Sequence, residues 1–184
     1  PEKVVSPEPY VAVPALQAIS YSMNNEELRN LYANLLSKSM NIDTKDSVHP
    51  SFVEIIKQLS PLDAKVFQII CTNHINPMIN LNRKFNGQSG MISLRKNITL
   101  INIAPIDSIS VSINNLERLK LINIPFDSYY SNEQAYNPLY NLEIYKSYEK
   151  LVKDSNGDEL VVDKKVIEVT DIVKSFYNIC VKNS

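Results

Sequence analysis

The apolar residues between Asn24 and Met40 recur at spacings of three and four positions. The residues that form this stripe are Leu28, Leu31, Tyr32, Leu35 and Leu36. The periodicity predicts one amphipathic helix. Asn24 or Asn25 is a suitable N-cap, and Glu26 and Glu27 follow in the first turn, where the helix dipole favours negative charge.

Two prolines interrupt the next helical pattern, VHPSFVEIIKQLSPLDAKVF, which covers residues 48–67. Pro50 suits the first turn of a helix, because its missing N–H would have no partner within the helix there. Ser60 is a suitable N-cap, Pro61 suits the first helical position, and Asp63 is placed to complete a capping box. The prolines therefore predict the starts of two short helices that meet at a corner.

Beyond residue 73 apolar and polar residues alternate in short runs. The runs MINLNRKF and MISLRKNITLINI are separated by NGQSG, so they predict a hairpin of two strands. Further helices are predicted over residues 111–120, after Pro138 and over 171–181, and further strands over 121–124 and 161–170. The whole pattern predicts a mainly helical α+β fold, in which N-terminal helices pack on a winged-helix-like domain with small antiparallel β-hairpins.

Three segments are expected within one compact unit. Residues 1–23 contain four prolines in their first fourteen positions and should form an irregular arm, since proline also biases the preceding residue toward extended conformations. Residues 24–59 should form a helical subdomain, and residues 60–184 a winged-helix-like subdomain with insertions. The start at Pro1, without a methionine, predicts that an upstream region of the gene product is missing.

Composition disfavours two classes of protein, dedicated nucleic-acid binders and membrane-spanning proteins. The formal net charge is −1 at pH 7, which lacks the basic surplus of a dedicated nucleic-acid binder, so a nucleic-acid partner is possible but disfavoured. No apolar run reaches the roughly 18 residues that a membrane-spanning helix needs, and no leader sequence opens the chain. We therefore expect no membrane segment and a cytoplasmic location.

The sequence contains no recognisable catalytic, cofactor or metal motif. Cys71 and Cys180 lie in apolar surroundings and are expected to be free buried thiols, and neither pairs with His49 or His74 at a zinc-site spacing. There is no nucleophile elbow, phosphate-binding loop or metalloprotease motif. We expect no catalytic residues, no cofactor and no metal, and hence a protein that is not an enzyme.

One helix carries residues that suit DNA recognition. In a DNA-binding winged helix, the helix around residues 114–120 would enter the major groove, where Asn114, Asn115, Arg118 and Lys120 would form the recognition surface. The alternative is that these are ordinary solvated side chains. Few lysines or arginines cluster nearby to neutralise phosphates, which favours the alternative.

The segments LRNLYANLLSKSMN, VHPSFVEIIKQLSPLDAKVF, LERLKLINI and VTDIVKSFYNIC, in this order, make the chain resemble the Abi-alpha family of bacterial proteins. The most specific elements are seven residues to which we assign a structural role: His49, Pro50, Phe52, Ser60, Pro61, Leu62 and Asp63. One departure is that the family pattern carries a glycine where this chain has Lys120. The resemblance implies a part in abortive infection, in which a bacterium halts its growth when a phage enters, but it supplies no catalytic or ligand residues.

Three hypotheses follow. The preferred one is a non-enzymatic phage-defence protein that recognises a protein partner or forms a homo-oligomer. The second is a winged-helix DNA-binding regulator, which would use the helix around residues 114–120. The third is an unrecognised enzyme, such as a nuclease, whose carboxylates come together only in the folded chain.

Overall fold

The computed structural model describes residues 3–155 and 157–182. Within this part the α-helices are α1 (Pro9–Tyr21), α2 (Glu26–Ser39), α3 (Ser51–Lys57), α4 (Pro61–Thr72), α5 (Ile106–Arg118), α6 (Asn137–Tyr140), α7 (Glu143–Lys153) and α8 (Asp171–Phe176). The strands are β1 (Pro77–Lys84), β2 (Met91–Thr99), β3 (Ile122–Asn123), β4 (Glu159–Val166) and β5 (Glu168–Val169). The predicted class, a mainly helical α+β fold with small antiparallel sheets, is confirmed.

The chain forms two compact units, and each contains more than one segment of the sequence. The first comprises residues 1–72, 115–122 and 169–184, and the second comprises residues 73–114 and 123–168. The predicted boundary between residues 59 and 60 does not match these units, because α4 packs with α2 inside the first unit. The winged-helix-like arrangement of residues 60–184 stays a prediction.

Three phenylalanines occupy the core of the first unit. The ring of Phe176 in α8 lies 5.4 Å from that of Phe52 in α3, edge to face, and 5.8 Å from that of Phe67 in α4. Each is 2% exposed or less. Aromatic pairs prefer such tilted geometries, and each ring buries a large apolar area. These rings therefore bring helices from both ends of the chain to one core.

The predicted irregular arm is wrong for residues 9–21, which form α1; residues 1 and 2 of the arm lie outside the described part of the chain. Pro9 is the first helical residue, a position where its missing N–H has no consequence. Pro14 lies inside the helix, which continues past it. Val11, Ala15 and Ala18 are buried at helical spacing. Tertiary burial of this face therefore outweighs the local cost of Pro14.

An antiparallel three-stranded sheet in the order β2-β1-β4 forms the second unit's framework. Its apolar core comprises Ile79, Leu81, Ile98, Tyr136 and Leu139. Asn97 has a φ of 58° at a bulge in β2, where its N–H donates to Asn80 Oδ1. The predicted hairpin is confirmed, and Gly87 and Gly90 supply the positive φ angles of its turn.

Candidate functional site

The corner between α3 and α4 contains the capping box that the sequence predicts. The backbone N–H of Asp63 donates to Ser60 Oγ at 3.1 Å, and the N–H of Ser60 donates to Asp63 Oδ2 at 2.7 Å. Pro61 is the first residue of α4, and Leu62 beside it is half-buried. Asp63 is 4% exposed, which is rare for a carboxylate unless it is paired or hydrogen-bonded.

Two residues of the predicted recognition helix pack against this corner. Asn115 Nδ2 donates to Asp63 Oδ2 at 2.9 Å and to the carbonyl oxygen of Gln58 at 3.1 Å. Arg118 donates to Asn115 Oδ1 from Nε at 3.0 Å and from Nη2 at 2.8 Å, and to Gln58 Oε1 from Nη1 at 3.1 Å. We call Gln58, Ser60, Asp63, Asn115 and Arg118 the corner cluster. Its members satisfy one another and hold the end of α5 against the start of α4.

Asn114, the next candidate, points elsewhere. Its Oδ1 accepts a hydrogen bond of 2.8 Å from Nδ2 of the buried Asn97, which also donates to Ser110 Oγ at 3.2 Å. These three residues belong to the second unit. The side-chain acceptor of Asn114 is thus already used within the protein, as is the amide of Asn115.

Lys120 ends α5 with an unusual backbone conformation. Its φ is 59°, and the N–H groups of Lys120 and Leu121 donate to the carbonyls of Glu117 and Leu116. This is a Schellman motif, whose left-handed position usually holds glycine. Lys120 therefore lies at a position that favours glycine, and its carbonyl oxygen accepts a hydrogen bond of 3.2 Å from Thr170 Oγ1.

Of the seven residues with a predicted structural role, His49, Pro50 and Phe52 lie at the start of α3. His49 Nδ1 accepts a hydrogen bond of 3.1 Å from the N–H of Ser51, the first helical residue. Pro50 therefore precedes the helix by one position, and the prediction that it lies in the first turn is off by that residue. Phe52 is buried, as described above. The exposed His49 lies one position before the N-cap, Pro50, and its imidazole nitrogen accepts from the first N–H of the helix.

The side chains that could carry chemistry are dispersed. Burial raises the pKa of the Cys71 thiol to about 12, and burial likewise raises the pKa of Cys180. Both are therefore thiols and not nucleophilic thiolates near neutral pH. Across residues 3–155 and 157–182, no three His, Cys, Asp or Glu side chains come together as a group that could hold a metal ion.

A surface that the sequence pattern did not predict lies on α1. Its outer face consists of Tyr10, Val13, Leu16 and Tyr21, which are between 51% and 92% exposed. The helix sequence PYVAVPALQAISY contains no charged residue. Helices that are apolar all round are normally buried, so an uncovered face on such a helix is a candidate interaction surface. The signal in the sequence was the uncharged run itself, which the prolines obscured.

An open groove of about 660 Å³ adjoins the C-terminal end of α1. Gln17 and Tyr21 of α1 line it together with Tyr32 of α2 and Lys57 of α3. Tyr32 is only 1% exposed, and burial together with the charge of Glu54 raises its pKa to about 12. The lining combines two tyrosines with polar side chains, which suits an amphipathic side chain such as tyrosine.

No helix in the described part of the chain has both the length and the apolar character needed to cross a bilayer. A family model described as abortive infection alpha matches residues 1–180. No curated protein and no solved structure matches the chain.

Proposed function

Because the chain belongs to the abortive infection alpha family, we propose that it is a non-enzymatic phage-defence protein that acts by protein–protein recognition or self-association. The observation that carries the proposal is the outer face of α1. Four large apolar side chains stand exposed on a helix without charge, which is the kind of patch that proteins use to bind other proteins.

The non-enzymatic part of the proposal is supported by the thiols and the polar residues. Cys71 and Cys180 have raised pKa values, which disfavours them as nucleophiles. The carboxylate of Asp63 is buried, but it accepts hydrogen bonds from two donors of the corner cluster. Such a carboxylate is better suited to hold a helix end than to transfer protons.

DNA binding has less support than protein binding. Asn115 and Arg118 would have to leave the corner cluster to reach base edges, and Asn114 would have to release Asn97. Lys120 is the one remaining candidate among the four, and a single lysine contributes little to affinity for a polyanion.

Phage plating and host growth test the proposal directly. We expect bacteria that express the protein to show fewer plaques or arrested growth on infection by at least one phage of a panel. Leu16→Glu, which places a charge on the outer face of α1, should lose at least about 10-fold of that protection. The matched control is Leu151→Glu, since Leu151 is a leucine of similar exposure within α7.

Leu151→Glu should protect as well as the unaltered protein. If the unaltered protein gives no protection and no growth arrest with any phage, the phage-defence function is rejected. If Leu16→Glu protects fully, phage defence stands, and the outer face of α1 is not the surface through which it acts.

A further inference from the structure

We infer that the outer face of α1 binds a second copy of this chain, through antiparallel pairing of the two α1 helices about a two-fold axis near Leu16. This inference rests on the proposed function, because it names the partner in self-association. It concerns the first unit alone, to which α1 and the groove beside it belong.

The exposed area of the face suits a weak dimer. With about 200 Å² for a whole tyrosine side chain and about 100 Å² for an aliphatic one, the outer face and Met23 together expose about 450 Å² of side chain. A two-fold pair would thus bury about 900 Å² from these side chains alone, close to the ~1,000 Å² at which specific interfaces begin. Gln17 and Ser20, exposed on the same side, add to this area.

The charge pattern favours a second copy over an unlike partner. In a two-fold interface each residue near the axis meets itself, so a charged residue there would repel its own copy. Residues 9–21 contain no such charge. Charges lie only beyond the ends of this helix: Glu8 is exposed before α1, and Lys57, which pairs with Glu54 at 2.7 Å, lines the groove at the other end.

The helix geometry also provides an anchor. At a rise of about 1.5 Å per residue, Tyr10 lies about 9 Å and Tyr21 about 8 Å from Leu16 along the axis, in opposite directions. Antiparallel pairing therefore brings Tyr10 of the second copy to the groove lined by Gln17, Tyr21 and Lys57. A tyrosine that fills a groove with its ring and hydrogen-bonds through its hydroxyl is a typical interface hot spot.

Sedimentation equilibrium of the full 184-residue chain, from about 1 µM to about 1 mM, tests the pairing. We expect a monomer–dimer equilibrium with a dissociation constant on the order of 10 to 100 µM, in line with a small interface. Leu16→Glu should weaken it at least about 30-fold, since like charges then meet at the axis. Leu151→Glu should leave it unchanged, and circular dichroism should show that both variants are folded.

A mixture of two variants tests the two-fold axis itself. Leu16→Glu and Leu16→Lys should each dimerise far more weakly than the unaltered chain, whereas their equimolar mixture should dimerise more tightly than either variant alone, because opposite charges then meet where like charges met before. A chain that stays monomeric up to about 1 mM overturns the inference. It is also overturned if Leu16→Glu dimerises as tightly as the unaltered chain, or if a monomeric chain instead binds phosphatidylcholine vesicles through this face.

Two independent measurements separate the pairing of α1 helices from the phage-defence function. Sedimentation reports on the dimer without any phage, and plaque counts report on defence without any assumption about the dimer. A chain that protects while it remains monomeric rejects the pairing alone. A chain that dimerises through Leu16 without protecting any host supports the pairing and rejects the phage-defence function.

Discussion

The corner cluster and the outer face of α1 belong to the same unit, but their side chains differ in exposure and in the partners that they contact. In the corner cluster, polar side chains from two distant segments satisfy one another in a partly buried site. On the outer face of α1, apolar side chains remain exposed although the helix carries no charge. The comparison teaches that residue type alone does not tell which side chains are available to a partner. In this chain Asn114, Asn115 and Arg118 are hydrogen-bonded within the protein, whereas the apolar side chains on the outer face of α1 are exposed.

The largest expected effect contrasts the core with the outer face of α1. Phe52→Ala should lower the free energy of unfolding by about 3 to 5 kcal/mol, because the ring is buried against Phe176 and its removal leaves a cavity. Tyr21→Ala should change it by less than about 0.5 kcal/mol, since Tyr21 is 92% exposed. Urea unfolding followed by circular dichroism measures both changes. A loss under about 1 kcal/mol for Phe52→Ala would place this ring outside the core.

A smaller effect tests whether Asn115 is structural. Asn115→Ala should lower the free energy of unfolding by about 1 to 2 kcal/mol, because it removes a donor to the Asp63 carboxylate and the acceptor of two Arg118 hydrogen bonds. Asn30→Ala is the matched control, because Asn30 is exposed within α2 of the same unit. Asn30→Ala should leave the free energy of unfolding unchanged or raise it slightly, because alanine favours helix more than asparagine does. Equal unfolding midpoints for the two variants would show that Asn115 contributes no more to stability than a solvated residue. That result would support the recognition-helix interpretation.

The smallest effect concerns Lys120, at the end of the helix that brings Asn115 to the corner. Lys120→Gly should stabilise the protein by about 0.5 kcal/mol, because glycine adopts a φ of 59° without the steric cost that a side chain carries. Lys120→Ala removes the same charge and keeps the Cβ atom, so it should give no gain. If the alanine variant gained as much as the glycine variant, the benefit would come from the lost charge and not from the backbone.

Much of the local structure could be predicted because its causes are local. The capping box joins Ser60 and Asp63, which are three positions apart, and Pro61 begins α4 as expected. The glycines of the hairpin turn lie within a six-residue stretch between two alternating runs. Such patterns can be read from neighbours in the sequence, because the chain itself holds the interacting groups close together.

Other features required long-range information. The irregular-arm prediction for residues 1–23 failed at α1, since four prolines are a local signal whereas burial of Val11, Ala15 and Ala18 depends on other helices. The two-unit division was also missed, because each unit combines segments that are far apart along the chain. The same is true of the groove beside α1, which takes its lining from three helices.

The sequence by itself determined the helix start at Pro61, the β1–β2 hairpin, the mainly helical α+β class and the resemblance to Abi-alpha proteins. Only the tertiary structure decided that Asn115 and Arg118 face inward to the corner cluster while the outer face of α1 remains uncovered. Asn115 and Asp63 are separated by 52 positions, so their contact depends on the tertiary packing within the first unit. The physical reason is that caps and turns are formed by neighbours in the sequence, whereas exposure of a side chain is set by whatever the folded chain places beside it.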